Sequence, residues 1–116
     1  MPKYIAIGSY SSGSWARLMR SADDRTAMAR TFTEALGGSL DCIYWEVSAR
    51  TSYALAELPD SATAAAAIAV LAQTGAFKNV EVHELLTQRQ LGDVLALAGD
   101  VSQLYRVPGE AADTTV

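Results

Sequence analysis

Leu40-Asp41-Cys42-Ile43-Tyr44-Trp45-Glu46-Val47-Ser48-Ala49-Arg50-Thr51-Ser52-Tyr53-Ala54-Leu55-Ala56-Glu57-Leu58 is the stretch that decides the fold. Aromatic and β-branched residues fill its first half, which predicts a strand over Ser39–Val47. Ala49 and Arg50 make the turn, and Thr51–Leu58 predicts the returning strand. Pro59 ends it, because proline cannot donate a further ladder hydrogen bond. An isolated hairpin is marginal in water, so the flanking segments must supply the rest of a sheet and its cover.

Upstream, Gly37 and Gly38 stop a helix predicted over Ala22–Leu36, whose Met28, Phe32 and Leu36 recur at spacing four. Ser21 and Asp24 read as an acidic variant of the capping box at its start. Ser14 is positioned to cap a shorter helix over Trp15–Arg20, and Lys3–Ser9 predicts the first strand. Downstream, Asp60 or Ser61 caps an alanine-rich helix, Ala62–Thr74, that Gly75 stops. Phe77–Leu86 predicts the fourth strand. Thr87 and Gln90 form a second capping box, Gln88–Ala98 a further helix ended by Gly99, and residues 100–106 a further turn. The order β-α-β-β-α-β plus a C-terminal helix is the split βαβ arrangement of a ferredoxin-like α+β fold. Residues 1–107 are expected to form one domain, with 108–116 a flexible tail that lacks core-forming residues.

Such a fold covers one sheet face with helices and leaves the other open. Alternation sends Ala54, Ala56 and Leu58 to one face and Tyr53, Leu55 and Glu57 to the other. Small residues suit the face beneath the alanine-rich helix. The second set, with Cys42, Tyr44, Tyr4 and Tyr10, is expected on the open face. A half-apolar open sheet invites a partner, and a homodimer formed by sheet stacking is the economical expectation.

The 116 residues are half apolar and 19% charged, a globular composition, with a formal net charge of −4. The nine basic residues form no cluster, which argues against nucleic-acid binding. The apolar window 62–72 is too short to span a bilayer, and residues 1–7 do not read as a signal peptide. One cysteine, Cys42, excludes an internal disulfide, so a cytoplasmic protein is expected.

Met1-Pro-Lys-Tyr-Ile-Ala-Ile-Gly-Ser-Tyr10, Arg25, Glu34-Ala-Leu-Gly-Gly-Ser-Leu40, Tyr53, Glu57-Leu-Pro-Asp60 and Asn79-Val80 follow one another in an order and spacing that resembles the GYD-domain family. The likeness covers residues 2–97. It implies a ferredoxin-like fold grouped with the dimeric α/β-barrel proteins, whose members include cofactor-free monooxygenases, decarboxylase-like and dehalogenase-like enzymes, and small-molecule binders. The chain departs from the motif that names the family: Gly-x-Tyr-Asp is replaced by Thr51-Ser52-Tyr53-Ala54, which keeps the tyrosine alone.

Three residues are candidates for catalysis. His83, the single histidine, belongs to the residue type that changes charge near neutral pH, and Glu81 shares its strand face. Its bland reading is an ordinary strand histidine. Glu57 is a carboxylate in mid-strand, costly to bury unpaired, and therefore a candidate acid or base or else an interface salt-bridge partner. Tyr53 could donate a hydrogen bond to a carbonyl or phenolate, or fill a dimer interface. Tyr10, Trp15 and Tyr44 are candidate ligand-binding aromatics, or simply core. No spacing of His and Cys suggests a metal, and no glycine-rich phosphate loop is present, so no cofactor is expected. The residues point to a protein binding a small hydrophobic or aromatic molecule, or to a cofactor-free enzyme, with a pocket expected between sheet and helices or in the barrel and Tyr53, Glu57 and His83 as its polar groups. The enzyme would abstract a proton from a phenolic or carbonyl substrate, with oxygenation or rearrangement. The alternative is a non-catalytic homodimeric binding or assembly module.

Overall fold

Strands β1 (Lys3–Tyr10), β2 (Ser39–Glu46), β3 (Thr51–Glu57) and β4 (Phe77–Leu85) make one sheet in the order β2-β3-β1-β4, every neighbouring pair antiparallel. The computed structural model describes residues 1–110. Helices α1 (Ser12–Arg20) and α2 (Arg25–Ala35) connect β1 to β2, and α3 (Ser61–Gln73) connects β3 to β4. This is the ferredoxin-like βαββαβ order. Met1–Leu85 forms one compact unit and the chain from Leu86 a second. The second contains α4 (Gln88–Val101), a 3-10 turn at Ser102–Leu104 and a turn in which Glu110 N–H donates to Val107 C=O at 2.9 Å. Of the segment expected to be a flexible tail, 108–110 form that turn and 111–116 lie outside the described residues.

Local chemistry accounts for the helix ends, with three corrections to the sequence reading. The cap of α1 is Ser11, whose hydroxyl accepts from Ser14 N–H at 3.3 Å, so the helix starts a turn earlier than Ser14 predicted. The cap of α2 is Asp24 and not Ser21, since the carboxylate accepts from Ala27 N–H at 2.9 Å. Gly99 does not stop α4, which runs on to Val101: an interior glycine costs a helix only about 1 kcal/mol. Asp60 caps α3, and the Thr87–Gln90 box is complete. Gly37 leaves α2 with φ of +83°, the left-handed conformation that glycine adopts without a Cβ clash.

Register then assigns the two faces. Cross-strand rows Ile43–Ala54–Ala6–Val82 and Trp45–Ser52–Gly8–Val80 lie under the helices. Rows Tyr44–Tyr53–Ile7–Glu81 and Cys42–Leu55–Ile5–His83 lie on the opposite, open face. A bulge between Leu40 and Cys42 turns Asp41 to the open face, where it meets Lys3 at 2.7 Å. Tyr4 and Tyr10 sit on the covered face, contrary to the open-face expectation, and are only 4% and 5% exposed. Burial pushes the Tyr4 phenol up from its ordinary value, and the Glu84 carboxylate on the same row adds to it.

Candidate functional site

The covered face is built from small side chains, and the alanine-rich helix laid over it is built from small side chains too. Ala6, Ala54 and Ala56 form a floor, with Phe32 of α2 and Leu71 of α3 above it. Small against small leaves space. The layers flank a solvent-accessible cavity of about 430 Å³ where a ferredoxin-like fold places its core. No large side chain among the described residues is fully shielded, and even Tyr4 keeps 4% of its surface. Protein interiors are ordinarily packed as densely as organic crystals, so this layer departs from the norm.

One end of the cavity is aromatic. The Tyr10 ring lies 4.8 Å from that of Phe77 and 5.8 Å from that of Trp15, and Trp45 donates its indole N–H to the Tyr10 hydroxyl at 3.3 Å. Gly8 makes this possible, because a Cβ there would fall 2.7 Å from the Phe77 ring. The polar groups along the walls are few: the two tyrosines, the hydroxyls of Thr33, Ser52 and Thr74, and Arg25. A shallower groove of about 420 Å³ runs between Trp15, Trp45 and the start of α2, and Arg25 borders both spaces.

The structure does not bring the six predicted site residues together. Tyr10 lines the cavity, while Trp15 lines the groove beside it. Tyr44, Tyr53, Glu57 and His83 occupy the open face, on the other side of the sheet. There Tyr44 pairs across the strands with Tyr53 and is 67% exposed. His83 Nε2 lies 3.1 Å from Glu81 Oε1, as the alternation of β4 anticipated. Glu57 stands at the end of β3 and not in its middle, accepting from Ser39 Oγ at 3.4 Å. Tyr53 and Glu57 are four residues apart on one strand, roughly 13 Å, and His83, level with Leu55 on the far side of β1, is roughly 12 Å from each. Groups so far apart cannot share one proton transfer, which needs hydrogen-bond reach. Among the described residues no group of three or more His, Cys, Asp or Glu is placed to hold a metal ion. Nor is any helix among them long and apolar enough to cross a membrane.

Sequence reasoning undervalued the floor. Ala6, Gly8, Ser52, Ala54 and Ala56 alternate along two paired strands, facing a helix with buried Ala64 and Ala67. That pattern was readable, but it suggested close helix–sheet contact and not the walls of the pocket expected between sheet and helices or in the barrel.

A family model described as GYD domain matches residues 4–95. The chain belongs to the GYD-domain family. The matched region of this GYD-domain protein contains all of the sheet but Lys3, with α1 to α3 and the walls of the cavity. No match was found among curated proteins or among solved structures.

Proposed function

We propose that this GYD-domain protein binds a small, predominantly apolar molecule between the sheet and the crossover helices. The observation that carries the reading is the cavity itself. Open to water, about 430 Å³ of space walled mostly by apolar side chains leaves surface that an occupant would shield. Water is a poor occupant of walls that offer so few partners. An apolar ligand recovers both the transfer energy and the dispersion contacts. The volume falls within the range of small-molecule sites.

His83 and Glu57 are remote from this space, and no imidazole or carboxylate lines it among the described residues. Those facts favour binding over proton abstraction. The test is a thermal-shift screen of apolar and aromatic compounds, where a ligand at about a hundred times its Kd adds roughly 2.7 kcal/mol. A stabilising hit should persist in His83→Ala and Glu57→Gln. Loss of the hit in both variants would return the site to the open face.

A second reading concerns that face. Half-buried Ile5, Ile7, Tyr53 and Leu55 form a contiguous apolar strip beside exposed Tyr44. This supports pairing with a second copy by sheet stacking, with Tyr53, Glu57 and His83 at the contact. Leu55→Glu, which sets a charge in the strip's centre, should then yield a monomer by analytical ultracentrifugation.

A further inference from the structure

The two spaces beside α2 share one charged side chain. Arg25 is the only charged residue lining the main cavity among the described residues, and it also borders the groove between Trp15 and Trp45. Its side chain is 35% exposed, so the guanidinium stands where the apolar interior meets water. We propose that the ligand is an amphiphile with a carboxylate head, its apolar body in the sheet–helix cavity and its head on Arg25. This rests on the cavity reading above and adds the chemical class.

Volume and chemistry agree with that class. If each non-hydrogen atom takes about the 30 Å³ of a liquid water, 430 Å³ holds roughly 14 of them, the size of a medium-chain fatty acid. An alkyl chain needs no polar partner, which suits walls so poor in them. A planar guanidinium carries five donors in a fork that matches a carboxylate in two-pronged fashion.

Two acidic groups stand close to Arg25, and they define how the site would be gated. Asp24 is committed to capping α2, accepting from Ala27 N–H at 2.9 Å. Asp23 Oδ2 takes a donor from Arg25 Nη1 at 3.1 Å. Asp23 is itself 61% exposed at its side chain, and a pair so open to solvent contributes little. Asp23 thus acts as an internal stand-in for the ligand head. It holds the guanidinium at the rim and yields it to a carboxylate that arrives with a buried apolar tail.

The experiment is a titration of dodecanoate and of 1-dodecanol, each below its aggregation limit, into wild type, Arg25→Gln and Asp23→Asn, followed by tryptophan fluorescence. In wild type dodecanoate should bind about tenfold or more tighter than the alcohol. Arg25→Gln should remove that advantage and leave the alcohol unchanged. Asp23→Asn, which abolishes the competing charge, should tighten dodecanoate several-fold and again leave the alcohol unchanged. Equal affinities in wild type, with neither variant altering dodecanoate, would overturn the carboxylate assignment while the cavity reading stands. Failure of both compounds to bind wild type would overturn the cavity reading itself, and the assignment with it.

Discussion

Ala54→Leu distinguishes a cavity from a packed core by the sign of its effect. Ala54 lies on the floor, paired across the sheet with Ala6 on one side and Ile43 on the other. Leucine adds three carbons that would project into the space. At about 0.8 kcal/mol per buried methylene the gain is roughly 2 kcal/mol, and ordering the side chain removes about 0.5–1 of it. In a densely packed core the same substitution would force strain costing about 1–3 kcal/mol. The two cases therefore differ in direction and not merely in size. For a unit of this length the expected gain is roughly 5–10 °C in Tm. Ligand-free protein, refolded from denaturant, would be measured by calorimetry alongside wild type. The variant should melt higher and lose the stabilisation that an apolar ligand confers on wild type. A lower Tm, with the ligand response intact, would refute the reasoning.

Other expectations follow from the geometry around the site. Gly8→Ala would drive a methyl group into the Phe77 ring and disturb the Tyr10–Phe77 pair, for a loss of about 1–3 kcal/mol in urea unfolding. Gly37→Ala, at φ of +83°, should cost about 1–2 kcal/mol by the same measurement. The Asp60 carboxylate is held below its ordinary value of 3.8 by the Thr63 N–H, then by the Thr63 hydroxyl. A depressed carboxylate contributes stability that is present above the unfolded value and lost as pH falls through the folded one. Melting curves should therefore decline below about pH 4, and Asp60→Asn should make that decline shallower. A decline of the same steepness in the variant would show that other groups produce it.

What was legible in the sequence is what local chemistry decides. The hairpin turn, the Gly37 stop, the Asp60 cap and the Thr87–Gln90 box each depend on residues within a few positions of one another. The errors at Ser14, Ser21 and Gly99 are of one kind. Several small polar or flexible residues stand within a turn, and the short-range pattern alone does not choose among them. Facing was harder. Along β1, Tyr4, Ala6, Gly8 and Tyr10 alternate with Ile5 and Ile7, so neither set is polar enough to identify the solvent side. On β3 the contrast of Ala54 and Ala56 with Tyr53 and Glu57 is sharper, and the structure puts the two sets on opposite faces. A pocket between sheet and helices was one of the two places expected, but its walls were not assigned, because they follow from opposing the small rows of two strands to the small ridge of α3, a juxtaposition only register supplies. Arg25 at its rim entered only through the family likeness and not as part of a site.

The most direct test of the cavity account is the set of nuclear Overhauser contacts between a bound apolar ligand and methyl-labelled protein. The account predicts contacts to Met28, Leu71 and Val82, which line the cavity, and none to Ile5 or Leu55 across the sheet. Contacts to Ile5 and Leu55 with none to Met28, Leu71 or Val82 would contradict it and move the functional surface to the open face.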